Sequence, residues 1–238
     1  MRRMFIVTGV FLAMVANGLT FPLDEPTGNL KIETKSPKGN IETKTIGYTP
    51  REGDLVFYDD KHLGWTLLFA YAGTGAPLHM GIVVKNNDGK LAILEAGPDD
   101  TIWVKLLELD QRLPQFNDDF KGTIHIRRCK KALTDEESKA LTKFAHAQDG
   151  KRYAIGRLLL QGTPFRTRGP VREMFFGATV LDRDSWICSE LAVAAGTVVK
   201  LFDPKVVYAN VCYPRDLVNN ERYDLSANFH DAAIWSPK

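Results

Sequence analysis

Cys188 stands where a short apolar segment runs into a helix-forming stretch, SWICSELAVAA at 185–195. The alanine and leucine content of that stretch predicts a helix whose first turn contains the thiol. Backbone N–H groups in a first helical turn lack intrahelical acceptors and carry the positive end of the helix dipole, so they favour a thiolate. Because the thiolate is the reactive form, this position predicts a nucleophile. The alternative is a buried cysteine that packs as a small apolar side chain.

His79 and Glu95 are the candidates for the base and for the group that orients it, both of which a cysteine nucleophile requires. They lie in two apolar runs on either side of Asn-Asp-Gly at 87–89, a sequence typical of a β-hairpin. A three-residue loop pairs Glu95 with Gly81 and places His79 and Glu95 on one face, about 7–8 Å apart at the backbone. Gly81 leaves no side chain between them. A two-residue loop would put them on opposite faces, and a solvated pair on an open sheet is the other interpretation.

These motifs, in this order, resemble the permuted papain-like amidases of the YaeF/YiiX group. That family consists of circularly permuted relatives of the NlpC-type cell-wall peptidases and of the lecithin retinol acyltransferase-like proteins. The resemblance covers residues 50–217. It is carried by five segments: REGDLVF at 51–57, HMGIVV at 79–84, LEA at 94–96, CSEL at 188–191 and YPRDL at 213–217.

The resemblance implies an α+β, papain-like fold in which an antiparallel sheet packs against the helix that bears the nucleophile. It implies that Cys188 is the nucleophile, that His79 is the base, and that Glu95 is the third polar residue. The order, with histidine before cysteine in the chain, is what the permutation implies. The resemblance also implies that Tyr153 lies near the catalytic cleft, whereas the residue type alone is equally typical of a tyrosine at the edge of a core.

The composition divides the chain into four segments. Residues 1–18 combine a basic start, a short apolar run and small residues, which is typical of a secretory signal peptide and predicts an exported, periplasmic or extracellular protein. An uncleaved anchor is the alternative, although the run is shorter than the roughly 20 residues that cross a bilayer. Residues 19–49 are polar and predict a linker or N-terminal extension, with a polar hairpin as the alternative. Residues 50–217 form the predicted catalytic domain, in which TDEE at 134–137 is typical of a helix capping box, and residues 218–238 form a tail.

Composition and charge exclude several function classes. The chain has 238 residues, of which 44% are hydrophobic and 25% are charged, as in ordinary globular proteins. A net charge of +2 argues against nucleic-acid binding, which requires a concentrated basic excess. The five histidines and three cysteines lack the spacing of metal-binding motifs, so neither a metal nor another cofactor is predicted.

The odd number of cysteines leaves at least one thiol unpaired, and nothing in the spacing of Cys129 and Cys212 requires that they pair.

The predicted function is that of an exported cysteine hydrolase, an amidase or peptidase, that uses Cys188, His79 and Glu95. The expected partner is a peptide, amide or lipid-ester substrate, and the resemblance implies cell-wall peptides and lipid acyl groups as the leading classes. A lipid acyltransferase or lipid hydrolase is one alternative, in which the acyl group on the cysteine passes to another acceptor. A binding module that holds ligands without chemistry is the other. Contact with a membrane is expected only through an uncleaved N-terminal segment.

Overall fold

The computed structural model describes residues 26–35, 40–60, 63–160 and 179–238, together with residues 163, 171 and 174. The predicted signal peptide at residues 1–18 lies outside this part of the chain. The strands are β1 (Asn29–Lys35), β2 (Ile41–Gly47), β3 (Leu55–Asp59), β4 (His79–Lys85), β5 (Leu91–Ala96), β6 (Val104–Glu108), β7 (Thr123–Arg127), β8 (Arg152–Tyr153), β9 (Ser185–Trp186) and β10 (Ala233–Ser236). The α-helices are α1 (Leu63–Tyr71), α2 (Leu109–Phe120), α3 (Asp135–Gln148), α4 (Ile155–Leu159), α5 (Cys188–Val198) and α6 (Pro214–Val218), with 3-10 turns at Pro98–Asp100 and Ala209–Val211. In this part of the chain, no helix combines the length and the apolar character that a membrane crossing needs.

Eight of these strands form one sheet in the order β2-β1-β10-β7-β3-β4-β5-β6, and β8 pairs with β9 separately. Every neighbouring pair in the eight-stranded sheet is antiparallel. The α+β class and the antiparallel sheet are therefore confirmed.

Residues 29–35 and 41–47 correct the preferred interpretation of residues 19–49 as a linker. They form β1 and β2, which pair with each other along their full length. The segment is structured because β1 buries apolar surface against the rest of the sheet. Leu30 of β1 lies opposite Trp235 of β10, and both side chains are buried. The polar hairpin that the sequence also allowed is therefore the better description of these residues.

The predicted C-terminal tail lies inside the sheet. Its strand β10 pairs with β1 on one side and with β7 on the other. Ala233 and Trp235 of this strand are buried in the core. Residues beyond 217 are therefore part of the scaffold that holds the sheet together.

Helices cover both faces of the sheet, and the two faces carry separate cores. In β4, Met80 and Ile82 belong to a core with α3 and α5, whereas Val83 belongs to a core with α2. Successive side chains along a strand point to opposite faces. By this alternation, His79 and Glu95 lie on the α2 face of the sheet, and α5 covers the other face.

Helix α3 anchors the segment that leads to Cys188. The capping box is confirmed, since the Glu137 N–H donates to Thr134 Oγ1 at 3.2 Å and the Thr134 N–H donates to Glu137 Oε2 at 3.0 Å. At the other end of α3, Gln148 Oε1 accepts a buried hydrogen bond from Trp186 Nε1 at 2.9 Å. This bond fixes strand β9 directly before the cysteine.

Replacing Trp235 with alanine tests the structural role of β10. We expect the free energy of unfolding to fall by about 3–5 kcal/mol, because a buried aromatic side chain leaves a cavity between β1 and β7. Urea denaturation measures the change. The matched control is Ile41→Ala on the edge strand β2, where the side chain is exposed and a change of less than about 0.5 kcal/mol is expected. A loss of stability for Trp235→Ala as small as the loss for Ile41→Ala would show that β10 is dispensable.

Candidate active site

The β4–β5 hairpin has the predicted register. Gly81 pairs with Glu95, and the loop closes with the Asn86 N–H donating to Lys90 O at 2.8 Å. Gly89 ends the loop with a φ of +83°, a left-handed conformation that favours glycine. The three-residue loop is therefore confirmed, and with it the placement of His79 and Glu95 on one face.

Gly81 creates the space in which His79 and Glu95 meet. A Cβ at this position would lie 2.8 Å from Glu95 Cγ and 2.6 Å from Ile93 Cγ2, closer than real side chains pack. Without that atom, the Glu95 side chain extends across β4, and its Oε2 lies 2.9 Å from His79 Nε2. The carboxylate can thus accept a hydrogen bond from the Nε2–H group, and this bond fixes the orientation of the imidazole.

The Glu95 carboxylate is fully buried and satisfied by three side chains. Arg112 of α2 donates from Nε to Oε1 and from Nη2 to Oε2, each at 3.0 Å. The hydroxyl of Tyr58 donates to Oε1 at 2.6 Å. With His79 as the third partner, the two oxygens accept four hydrogen bonds, which is near the full capacity of a carboxylate.

Arg112 was not identified from the sequence, although a signal for it exists. Leu109, Leu113 and Phe116 recur at the spacing of an apolar helix stripe, and all three are buried in α2. Arg112 stands on this same stripe, where a charged residue needs a buried partner. Its third guanidinium nitrogen, Nη1, donates to both oxygens of Asp99 at 2.8 and 3.0 Å, so the cation lies between two carboxylates.

Tyr58 supports the imidazole as well as the carboxylate. It lies opposite His79 in the β3–β4 pair, and the two rings stack with their centroids 5.5 Å apart. The Arg112 guanidinium lies over the same tyrosine ring at 5.1 Å. Tyr58 therefore restrains His79 from one side while its hydroxyl binds Glu95.

These contacts determine the charge state of the pair. Burial alone raises the pKa of Glu95, but the charge of Arg112 and the hydrogen bond with His79 outweigh burial and lower the pKa to about 2. Burial lowers the pKa of His79, but hydrogen bonds with Cys188 and Glu95 and the charges of both groups outweigh burial and raise the pKa to about 10. Glu95 is therefore a carboxylate and His79 an imidazolium at neutral pH.

Cys188 is the first residue of α5, as predicted, and its side chain is buried. The residues around it hold the start of the helix. Glu190 accepts the N–H of Ile187 at 3.3 Å, and Arg157 Nη1 donates to both Glu190 oxygens at 2.6 Å. In addition, Ser189 Oγ donates to Cys212 O at 2.8 Å, which ties the helix to residues 209–213.

The Cys188 side chain lies close enough to His79 to contribute to the raised pKa of the imidazole. Because Nε2 is bonded to Glu95, Nδ1 is the ring nitrogen that remains for the sulfur. Helix α5 packs on the face of the sheet opposite Glu95, so this contact forms at the start of β4, where the strand begins. The three predicted residues thus come together as sulfur, imidazole and carboxylate in sequence, and the catalytic role of this arrangement remains a prediction.

A cavity of about 270 Å³ opens beside His79. Tyr153 lines this cavity, and its ring also packs against Gly97, where a Cβ would come within 2.8 Å. Leu78, Phe116 and Phe120 contribute apolar walls. The cavity offers space for a mainly apolar group next to His79.

The other two cysteines are separate from the site and from each other. Cys129 and Cys212 are buried free thiols, and neither pairs with the other. Cys129 Sγ donates to Lys131 O at 3.2 Å, and burial raises its pKa to about 11. Within the described ranges, no group of three or more His, Cys, Asp or Glu side chains could hold a metal ion.

A pH titration tests the charge state of His79. Between pH 6.5 and about 10, His79 is protonated in the folded protein but not in the unfolded chain. The contribution of His79 to the free energy of unfolding is therefore complete below pH 6.5 and is lost as the pH rises to about 10. NMR of the histidine ring protons measures the titration. His125 is an internal control, because burial lowers its pKa below 6.5. A midpoint for His79 near that of an exposed histidine would contradict the described geometry.

Replacing Arg112 with methionine tests the pairing of Glu95. The buried carboxylate would lose its cation, and we expect the free energy of unfolding to fall by about 3–5 kcal/mol. The double variant with Glu95→Gln should regain part of that loss, because it removes the unpaired charge. Lys44→Met, which removes an exposed positive charge on the edge strand β2, is the control and should cost less than about 0.5 kcal/mol in urea denaturation. A double variant less stable than Arg112→Met alone would contradict the pairing.

Comparisons with known proteins include a distant structural likeness. No protein-family model matches the chain, and no curated protein matches its sequence. Among solved structures, the chain is similar to the crystal structure of metalloprotein yiiX from Escherichia coli O157:H7, DUF1105, with a TM-score of 0.44 and 17% sequence identity. The similarity covers 79% of this chain and 90% of that one.

Proposed function

We propose that this protein is a cysteine hydrolase that cleaves amide or ester bonds through Cys188, His79 and Glu95. One observation carries the proposal: His79 is held between a buried, charge-compensated Glu95 and a cysteine at the first position of a helix. A histidine whose hydrogen bonds only stabilise the fold would not need a cysteine sulfur as its second partner. This arrangement of nucleophile, base and orienting group is the general pattern of covalent acyl transfer.

The first half of the reaction acylates the cysteine. The Cys188 thiolate attacks the carbonyl carbon, a C–S bond forms, and the carbonyl electrons move to oxygen. The N–H of Cys188 donates to that oxyanion, since the first N–H groups of a helix have no intrahelical acceptors. As the tetrahedral intermediate collapses, the imidazolium of His79 gives its proton to the leaving nitrogen or oxygen, and the amine or alcohol departs.

The second half restores the enzyme. Neutral His79 takes a proton from a water molecule, and the resulting hydroxide attacks the thioester carbon. The C–S bond then breaks, the carboxylic acid leaves, and the proton on His79 again accompanies the Cys188 thiolate. Glu95 remains a carboxylate throughout, because Arg112 and Tyr58 hold it charged, and its role is to keep Nε2 protonated and the ring in place.

The cavity beside His79 favours an acyl substrate with an apolar portion. Its walls include Leu78, Phe116 and Phe120, while Asp99 contributes a carboxylate that Arg112 already neutralises. A lipid ester or an amide with a bulky apolar side chain fits this lining better than a uniformly polar peptide. We therefore rank such substrates above the polar stem peptides of a cell wall.

We further propose that the domain is a circularly permuted papain-like fold and that the protein acts outside the cytoplasm. The permuted order is supported by the position of His79 on an early strand and of Cys188 on a later helix, which packs against the same sheet. Export is supported by the composition of residues 1–18. Both proposals agree with a hydrolase that meets envelope lipids or peptides.

Cys188→Ala tests the proposed reaction. We expect the loss of ester and amide hydrolysis by at least about 10³-fold, because the nucleophile is removed. A panel of p-nitrophenyl esters of increasing chain length and of peptide anilides measures the rates, and a fluorescent iodoacetamide measures thiol labelling. Cys212→Ala is the matched control, since it removes another buried thiol and should leave both readouts unchanged.

Two outcomes would overturn the proposed function. The first is equal labelling of the parent and of Cys188→Ala, which would show that the thiol at 188 is unreactive. The second is hydrolysis that survives the substitution while circular dichroism shows that the variant is folded.

A further inference from the structure

Helix α1 exposes apolar side chains that a helix on a protein surface normally turns inwards. Its nine residues, LGWTLLFAY, include no charged side chain. Leu63, Leu67 and Tyr71 are 71%, 61% and 66% exposed. They follow each other at intervals of four residues, so they form one stripe along the helix. We call these three residues the α1 stripe.

A polar cavity of about 500 Å³ lies at the C-terminal end of the α1 stripe. Gly73 and Thr74 form one side of it, and hydrogen bonds to Ala70 O and Phe69 O, at 3.0 and 2.9 Å, join these two residues to the last turn of α1. Other lining residues are Arg215, Asp216, Glu221 and Arg222. The apolar stripe and this polar cavity are therefore parts of one continuous surface, because the same short loop belongs to both.

The cavity presents groups of both charges and one unsatisfied hydroxyl. Arg215 is an exposed guanidinium, and Glu221 is an exposed carboxylate on the same wall. Asp216 is buried and accepts the N–H of Tyr213 at 2.8 Å, so it serves the start of α6. The buried Thr74 Oγ1 has no hydrogen-bond partner within the described part of the chain. Guanidinium and hydroxyl groups are donors for a phosphate, and the carboxylate complements a nearby ammonium group.

We propose that the α1 stripe and this cavity dock the protein on a phospholipid bilayer with zwitterionic head groups. Leu63 and Leu67 enter the boundary of the acyl chains, and Tyr71 lies at the level of the head groups, where amphipathic aromatic rings concentrate. Arg215 and Arg222 bind the lipid phosphate, and Glu221 faces the ammonium group. Docking on a membrane was not expected from the sequence, which pointed only to the N-terminal segment.

The size of the surface favours a bilayer over a protein partner. Each subunit of a stable protein pair buries about 800 Å², and three exposed side chains on a nine-residue helix provide much less. A short apolar helix can still associate with a bilayer, because binding strength scales with the apolar area that is buried and a compatible head-group contact adds to it. Phe69 of the same helix lines the cavity beside His79, and its position in the helix places it on the side away from the stripe. The docking itself does not depend on the reactivity of Cys188.

A fluorescent label on the stripe tests the proposal in the full chain. Leu67→Cys in a Cys188→Ala background carries an environment-sensitive dye, since the two remaining native thiols are buried. With vesicles of phosphatidylcholine and phosphatidylethanolamine, we expect a blue shift and protection from aqueous iodide. The same dye at Ile41→Cys is the matched control, because Ile41 is 63% exposed on the far edge strand β2 and should stay in water. This readout is local, so binding through residues 1–18 does not imitate it.

Vesicle sedimentation gives the second measurement. We expect Leu67→Asp to weaken partitioning at least about tenfold, as the loss of one buried leucine implies, while Ile41→Asp leaves it unchanged. Arg215→Glu with Arg222→Glu should weaken it as well, through the loss of the phosphate contacts.

Three results would overturn the docking proposal. One is a dye at position 67 that remains in water when vesicles are added. Another is a blue shift that depends on protein concentration without vesicles, which would identify a second copy of the chain as the occupant. The third is unchanged partitioning of the arginine variant, which would remove the head-group contact. None of these results depends on hydrolysis, so failure here and failure of the proposed function are distinguishable.

Discussion

The ion pair between Glu95 and Arg112 is the interaction on which the rest of the site depends. A lone carboxylate in the core would take up a proton, because burial penalises its charged form. The guanidinium prevents this with two parallel hydrogen bonds, and Tyr58 adds a third. Since Glu95 stays charged, it holds the Nε2 proton of His79, and the second proton of the imidazolium faces Cys188. The surroundings of the Cys188 sulfur thus depend, through the His79 ring, on a salt bridge on the other face of the sheet.

The sheet lies between helix α5 and the Glu95 side chain, and the candidate site forms at the start of β4, where the two faces of the sheet meet. Helix α5 packs on one face, whereas Glu95 and α2 lie on the other. His79 is the first residue of β4, so its ring can contact both the carboxylate on its own face and the start of α5. Each group is held by regular structure with its own supports, including the contact of Arg157 with Glu190 at the helix start. Sites built in this way keep their geometry, because neighbouring hydrogen bonds and packing lock each side chain.

The surroundings of the site point to apolar substrates. The cavity beside His79 has aromatic and aliphatic walls, and Phe69 connects it to the exposed helix α1. The proposed hydrolysis would use such a cavity to shield the apolar part of a substrate from water. The cavity and the start of α5 involve different parts of the chain, since α1 follows β3 and Cys188 begins α5 much later.

The sequence by itself determined the features that depend on neighbouring residues. The Asn-Asp-Gly loop dictates the hairpin register, the register brings His79 and Glu95 to one face, and the apolar run after Cys188 starts a helix. Tertiary structure alone decided the features that join distant segments. Local propensity carries no information about which strand a segment will meet, so the insertion of β10 between β1 and β7 depends on the burial of Leu30 and Trp235. Likewise, Arg112 becomes a partner of Glu95 only after α2 packs on the sheet, because packing removes both charges from water and makes each the necessary counterpart of the other.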